Sequence, residues 1–251
     1  MERLTISNMR LAPRAEVDAL VDAAITAGIN YAHFGGFGLS QNALPALGRL
    51  LQSPGFECLI ITNDDDDYNM FKGPALPSCC DALRNSMSLK TLKLCGVMYW
   101  ADTEAASQLI AALEGLPALH ELSLAFNRTD GTPAVQRAAG ECLARLIARS
   151  TSLRVLNLCD TILGEAGMTP IFQALGRSRT LVELSLYEGI GSEFARNFVS
   201  DVVLPAVRAC TCLRKLTGLA NARDFRADFE GIVRTPTLKV VEDILGDRRR
   251  R

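Results

Sequence analysis

The chain has 251 residues, with 27 Lys and Arg against 28 Asp and Glu, so a formal net charge of −1 gives no reason to expect nucleic acid or an anionic membrane as a partner. Hydrophobic residues make up 48%, enough for a substantial core without disulfides. Eight cysteines, with no signal-peptide-like stretch after Met1, predict reduced thiols in an intracellular and most simply cytoplasmic protein. No stretch approaches the roughly 20 apolar residues of a membrane span.

A leucine pattern recurs along the whole chain. Four clear runs share the spacing LxxLxL: Leu89, Leu92 and Leu94; Leu119, Leu122 and Leu124; Leu153, Leu156 and Leu158; Leu181, Leu184 and Leu186. Weaker copies are Met1, Leu4 and Ile6; Thr26, Ile29 and Tyr31; Phe56, Leu59 and Ile61; Leu213 and Leu216; and Leu238 with Val241. The runs recur about every 30 residues, which is typical of long leucine-rich repeats.

Each run predicts a short strand, and the segment after it has helical spacing of apolar residues. Helix starts are indicated by Asp102 before Thr103 and by Thr132 before Pro133. Repeated strand–helix units bury both apolar faces by stacking, which predicts an α/β leucine-rich-repeat solenoid, a horseshoe with parallel strands on the concave face and helices on the convex face. We expect residues 1–246 to form a single domain of about eight to nine units, with 247–251 as a basic tail.

The segment Leu153–Leu175, with Leu163–Gly167 between its strand and helix, resembles the ribonuclease-inhibitor-like subfamily of leucine-rich repeats. That subfamily also supplies the ligand-sensing arrays of NOD-like receptors, the GTPase activator of Ran, the end of tropomodulin and repeat effectors injected by bacteria. Its usual Asn, three positions after the last strand leucine, is present at Asn127. Other units replace it with Val97, Thr161 and Gly189. The resemblance implies a divergent member of this subfamily with a leucine-rich-repeat fold. It does not imply any single activity.

The sequence offers no catalytic, metal or cofactor constellation. The repeat register does not bring His33 or His120 within hydrogen-bond reach of a cysteine. The pairs Cys79–Cys80 and Cys210–Cys212 lack zinc-knuckle spacing. The run Asp64–Asp67 lacks the Gly and Glu of a calcium loop, so we expect a solvated loop there, with docking of a basic partner as the alternative. We therefore expect a non-enzymatic protein without catalytic or metal-binding residues and without a cofactor.

Side chains between the strand leucines are expected to project onto the concave face. The predicted protein-binding residues there are Lys93, Glu121, Phe126, Asn157, Asp160, Glu183, Tyr187 and Glu188. Trp100 joins them at the rim, because it aligns with Gly164 and has no interior position, whereas Tyr99 aligns with Leu163 and is expected in the core. The alternative is that Trp100 packs over its own helix.

The main functional hypothesis is a scaffold that binds a protein partner through the concave strand face and its rim, and binds neither nucleic acid nor membrane. Rigid repeats lower the ordering cost of such binding. The alternatives are a regulatory leucine-rich repeat protein such as a GTPase activator, or the substrate-recognition part of an effector or ligase adaptor. The oligomeric state is left open by the sequence.

Overall fold

The computed structural model describes residues 2–6, 13–36, 39, 41–63, 69–187, 194–219, 222–232 and 238–241. Nine strands in these ranges form one parallel sheet, and their order in the sheet is their order in the sequence. They are β1 (Arg3–Ile6), β2 (Tyr31–Gly35), β3 (Cys58–Thr62), β4 (Thr91–Cys95), β5 (Glu121–Ser123), β6 (Val155–Asn157), β7 (Glu183–Ser185), β8 (Lys215–Thr217) and β9 (Lys239–Val241). The predicted α/β class with parallel strands is confirmed.

At least one helix follows each of the first eight strands. The helices are α1 (Arg14–Thr26), α2 (Leu44–Leu51), α3 (Leu76–Arg84), α4 (Thr103–Leu113), α5 (Pro133–Arg149), α6 (Gly164–Leu175), α7 (Arg196–Phe198), α8 (Leu204–Ala209) and α9 (Arg226–Glu230). A π-helical segment, Val199–Val203, joins α7 to α8. None of the helices in the described ranges has the length and hydrophobicity that a membrane span requires.

One apolar residue from every strand stands in register across the sheet. This row consists of Leu4, Ala32, Leu59, Leu92, Leu122, Leu156, Leu184, Leu216 and Val240. Its central members are buried against the helices, because alternate strand residues point to opposite faces. The helix layer therefore covers one face of the sheet and leaves the other uncovered.

The pairing corrects the expected register in two units. In β2 the residues that continue the apolar row are Ala32 and Phe34, and Tyr31 lies on the opposite face, so the expected set of Thr26, Ile29 and Tyr31 is wrong by three positions. In β9 the partner of Leu216 is Val240, one residue before the expected Val241. Both errors arise where a residue other than leucine occupies the interior position.

Two expected helix starts are confirmed by side-chain caps. The Asp102 carboxylate accepts a hydrogen bond from the Ala105 N–H (3.2 Å), and the Thr132 hydroxyl accepts one from the Val135 N–H (3.4 Å). Pro133 follows Thr132 as the first helical residue, where the absent N–H costs no hydrogen bond.

Asn127 joins β5 to the turn after β4. Its side-chain oxygen accepts hydrogen bonds from the backbone N–H groups of Val97 (2.9 Å) and Met98 (2.8 Å). Its side-chain nitrogen donates to the carbonyl oxygens of Leu94 (2.6 Å) and Leu124 (2.8 Å). One fully buried amide thus satisfies four backbone groups in two adjacent units, which explains why the polar residue is tolerated inside the core.

Short side chains also connect the turns that precede the strands. The Ser86 hydroxyl donates to the Leu51 carbonyl oxygen (2.9 Å), and the Ser152 hydroxyl donates to the Leu116 carbonyl oxygen (2.8 Å). In a later unit the Cys212 thiol lies 3.4 Å from the Ser178 carbonyl oxygen. Each turn is therefore bonded to the turn of the unit before it. The expected end of the domain at residue 246 and the basic tail 247–251 lie outside the described residues.

Candidate protein-binding face

The sheet face away from the helices, termed the open face, carries two rows of side chains over β4 to β8. The first row is Thr91, Glu121, Val155, Glu183 and Lys215; the second is Lys93, Ser123, Asn157, Ser185 and Thr217. Adjacent members of a row belong to neighbouring strands, about 4.8 Å apart. Because the strands are held by backbone hydrogen bonds, these side chains are presented at fixed spacing.

Two ion pairs cross between neighbouring strands of the open face. The Lys93 ammonium lies 2.6 Å from a carboxylate oxygen of Glu121, and that of Lys215 lies 3.3 Å from one of Glu183. Both pairs are partly exposed, so each contributes little to stability. Their larger effect is to orient four long side chains and to neutralise this part of the face.

Small polar groups occupy the middle of the open face. The Thr217 hydroxyl donates to the Ser185 hydroxyl (2.8 Å), and the Asn157 side-chain oxygen accepts from the Cys159 N–H (3.0 Å). The Cys95 sulfur lies 3.5 Å from the Ser123 oxygen. Burial raises the pKa of the Cys95 thiol, which disfavours the nucleophilic thiolate at neutral pH. Ser123 and Thr217 are buried among their neighbours, so the ordered polar groups that a partner can reach are those of the half-buried Asn157 and Ser185.

The open face is bordered by left-handed backbone at the carboxyl ends of consecutive strands. Gly96, Phe126 and Asp160 have φ angles of 67°, 63° and 55°. The N–H of Phe126 donates to the Cys159 carbonyl oxygen (2.8 Å), and that of Asp160 donates to the Tyr187 carbonyl oxygen (2.5 Å). Glycine adopts this conformation freely, whereas a residue with a side chain is strained by about 1–2 kcal/mol. Phe126 and Asp160 are held in a conformation that the repeat itself could satisfy with glycine.

Four large side chains follow the carboxyl ends of β4 to β7, and we term them the apolar rim: Tyr99, Phe126, Ile162 and Tyr187. Tyr99 is 36% exposed and Ile162 is 37% exposed, while the other two are half-buried. Ile162 has a φ of 53°, which is rare for a β-branched residue. Its carbonyl oxygen accepts hydrogen bonds from Thr129 (2.6 Å) and Gln136 (3.1 Å), which hold the strained turn.

The expected position of Trp100 at the rim is wrong. Trp100 is only 1% exposed and belongs to the core, whereas Tyr99 is the exposed member of the pair. The alignment with Gly164 assumed turns of equal length, but α6 begins at Gly164 while α4 begins only at Thr103. The three extra residues place Trp100 where its large side chain fills the interior, which agrees with the packing alternative.

The other expected site residues fall into three groups. Lys93, Glu121, Asn157 and Glu183 lie on the open face, and Phe126, Asp160 and Tyr187 follow its strands. Glu188 lies outside the described residues. That these residues bind a protein stays a prediction.

Sequence reasoning missed Tyr99 and Ile162 as surface residues. The exposure of both residues is set by the turn after the strand, whose length and backbone conformation differ from unit to unit. No measure of leucine spacing contains that information.

Comparisons with protein-family models and with curated proteins found no match. Among solved structures, the chain is similar to a Caenorhabditis elegans tropomodulin C-terminal domain, with 22% identity, a TM-score of 0.51, and coverage of 62% of this chain and 89% of that one. A structure of the leiomodin-1 actin-binding site 2 shows 19% identity, a TM-score of 0.40, and coverage of 65% and 87%, which is too distant to support an argument. The first likeness shows a shared leucine-rich-repeat-like fold and nothing finer.

Proposed function

We propose that this chain is a non-enzymatic scaffold that binds a protein partner through the open face and the apolar rim. The observation that carries the proposal is the joint presence, over β4 to β7, of an ordered polar surface and a strained apolar border. Backbone strain at Phe126 and Ile162 costs stability, and such strain is concentrated at functional sites.

The chemistry of the surface fits protein recognition. Aromatic and aliphatic side chains at the border supply the apolar contacts that dominate binding energy when a partner buries them. The ion pairs, the Asn157 amide and the Ser185 hydroxyl beside them supply directional contacts from side chains that are already ordered, so little entropy is lost on binding. The proposal includes a horseshoe shape with the open face concave, membership of the ribonuclease-inhibitor-like subfamily, and an intracellular, cytoplasmic location.

The test uses a photo-crosslinking amino acid placed at Tyr187 of the full chain, with a matched variant at Arg137. Arg137 is an exposed residue of α5 on the opposite layer. We expect a protein adduct in the native cell from position 187 and none from 137. The adduct is then identified, and its affinity is measured for Tyr187→Ala and Tyr99→Ala. Each substitution should weaken binding by about 1–3 kcal/mol without changing the melting temperature.

Two results would overturn the proposal. One is an adduct that forms from position 137 and not from 187, which would make the helix layer the recognition surface. The other is an identified partner that binds both rim variants as tightly as the parent chain.

A further inference from the structure

Four arginines cluster at the edge of the sheet opposite the apolar rim, where the strands begin. Arg154 directly precedes β6 and Arg214 directly precedes β8. The Val182 N–H donates to the Arg154 carbonyl oxygen (2.7 Å), and the Arg214 N–H donates to the Val182 carbonyl oxygen (2.7 Å). Arg154 and Arg214 are thus two strand spacings apart, about 10 Å. Arg177 and Arg179 lie in the turn between α6 and β7, and β7 is the strand that separates Arg154 from Arg214.

The turn that carries Arg177 and Arg179 is rigid. Ser178, between them, is buried, and its hydroxyl accepts hydrogen bonds from the N–H groups of Thr180 (3.4 Å) and Leu181 (3.2 Å). The Cys212 thiol lies 3.4 Å from its carbonyl oxygen, which ties the turn to the next unit. Since the serine is fixed and buried, the two exposed arginines beside it are presented from an ordered backbone.

None of the four guanidinium groups forms an ion pair within the described part of the chain. Arg214 donates only to the carbonyl oxygens of Thr211 (2.6 Å) and Leu213 (3.1 Å), which orients its guanidinium group. Elsewhere arginines do find carboxylates, among them Arg49, Arg84, Arg149, Arg196 and Arg226. We term Arg154, Arg177, Arg179 and Arg214 the basic edge.

We propose that the basic edge docks an acidic segment of a protein partner. A guanidinium group binds a carboxylate with two parallel hydrogen bonds, and four arginines in three consecutive turns at one edge of the sheet suit a segment with several Asp or Glu residues. The Arg214 guanidinium is already oriented, and Arg177 and Arg179 project from a fixed turn, which lowers the ordering cost of binding. This inference does not depend on the role of the open face, because the basic edge lies at the other ends of the strands.

A nucleic acid fits the basic edge less well than an acidic peptide does. Binding of a phosphate backbone requires neutralisation of many phosphates in a row, whereas the basic edge offers four arginines on a chain whose net charge is −1. A short peptide can place its carboxylates on the arginines alone.

The test measures fluorescence anisotropy of a labelled oligoglutamate peptide with the full chain at low and at raised salt. The matched variants are Arg177→Glu with Arg179→Glu, and Lys72→Glu with Arg137→Glu as the control pair of equal charge change. Lys72 and Arg137 are exposed and lie away from the basic edge. We expect the parent and the control pair to bind with similar affinity, and the first pair to bind at least about tenfold more weakly. Salt should weaken the parent's binding.

Each other outcome overturns the proposal. Absence of binding at low salt removes the acidic-peptide site, and equal losses in both variant pairs show only general charge attraction. Tighter binding of a labelled DNA duplex through the same arginines assigns the edge to nucleic acid. Self-association in sedimentation that is lost in the Arg177→Glu, Arg179→Glu pair assigns it to a second copy of the chain.

Discussion

At Gly140 of α5 and Gly167 of α6 the two helix backbones are in direct contact. The space between them admits no side chain, since a Cβ at Gly140 would collide with the Gly167 carbonyl oxygen. Gly167 is under the same steric constraint as Gly140. A Cβ at Gly167 would lie 2.6 Å from the Gln136 carbonyl oxygen of α5. Neither glycine is in a left-handed conformation, so both are required for space and not for backbone freedom.

We expect Gly140→Ala to lower the free energy of unfolding by about 1–3 kcal/mol, because the helices must separate to admit a methyl group. Denaturant unfolding measures it. The control is Gly115→Ala, where nothing lies within 4 Å of an added Cβ. Its effect should stay within about 0.5 kcal/mol. Equal effects of the two substitutions would contradict close packing of α5 on α6.

Asn127→Ala should destabilise the chain by at least about 2 kcal/mol, because it leaves two backbone N–H groups and two carbonyl oxygens without their partner. Chemical denaturation and hydrogen exchange at the Val97 and Met98 amides give the readout. Asn197→Ala, at an exposed position of α7, is the matched control and should be nearly neutral. Unchanged protection of the Val97 amide in Asn127→Ala would show that the side chain does not bind it.

Strain at Phe126 predicts an inverted order of two substitutions. Phe126→Gly and Phe126→Ala both lose the ring, but only glycine accepts a φ of 63° without strain. The glycine variant should therefore be more stable by about 1 kcal/mol. At Arg137, inside α5, the order should be the usual one, with alanine more stable than glycine by about 1 kcal/mol. Melting curves of the four variants compare the two orders, and alanine more stable than glycine at both positions would contradict the left-handed turn.

A buried thiol predicts loss of stability in alkaline solution. Burial raises the pKa of Cys79 from its ordinary value of 9.0 to about 12. Below pH 9 both states keep the proton, and the contribution is fully present. Between about pH 9 and 12 the unfolded chain loses the proton first, so the free energy of unfolding falls. Cys79→Ala should flatten this decline, measured by denaturant unfolding at several pH values, and identical slopes in parent and variant would refute it.

The apolar spacing predicts the register of seven of the nine strands and fails in β2 and β9, for a physical reason. From β4 to β7 every interior strand position is leucine, so burial and sequence pattern coincide. In β2 the interior residues are Ala32 and Phe34, and nearby Ile29 and Tyr31 imitate the pattern three positions away. A pattern of large apolar residues does not detect Ala32, because its side chain is small. The pairing of Ala32 with Leu59 shows that it occupies the interior position.

The candidate surfaces depend on contacts that no single segment encodes. Lys93 and Glu121 were both expected on the strand face, but their ion pair follows from the strand register. The basic edge has no signature in the sequence, because Arg154 and Arg214 are far apart along the chain and come near each other only through the pairing of β7 with both of their strands. The length of the turn after β4 determines that Trp100 is buried and Tyr99 exposed, and turn length is set by local packing that varies between units.

The sequential strand order has a consequence for how the chain can be made. Each strand hydrogen-bonds only to strands adjacent to it in sequence, and each linking serine reaches back to the unit that precedes it. When a unit leaves the ribosome, the strand with which it pairs has therefore already been synthesised, and pairing requires no distant segment of the chain. Growth in chain order adds one unpaired strand at a time to the edge opposite β1, which limits the exposure of aggregation-prone intermediates during synthesis.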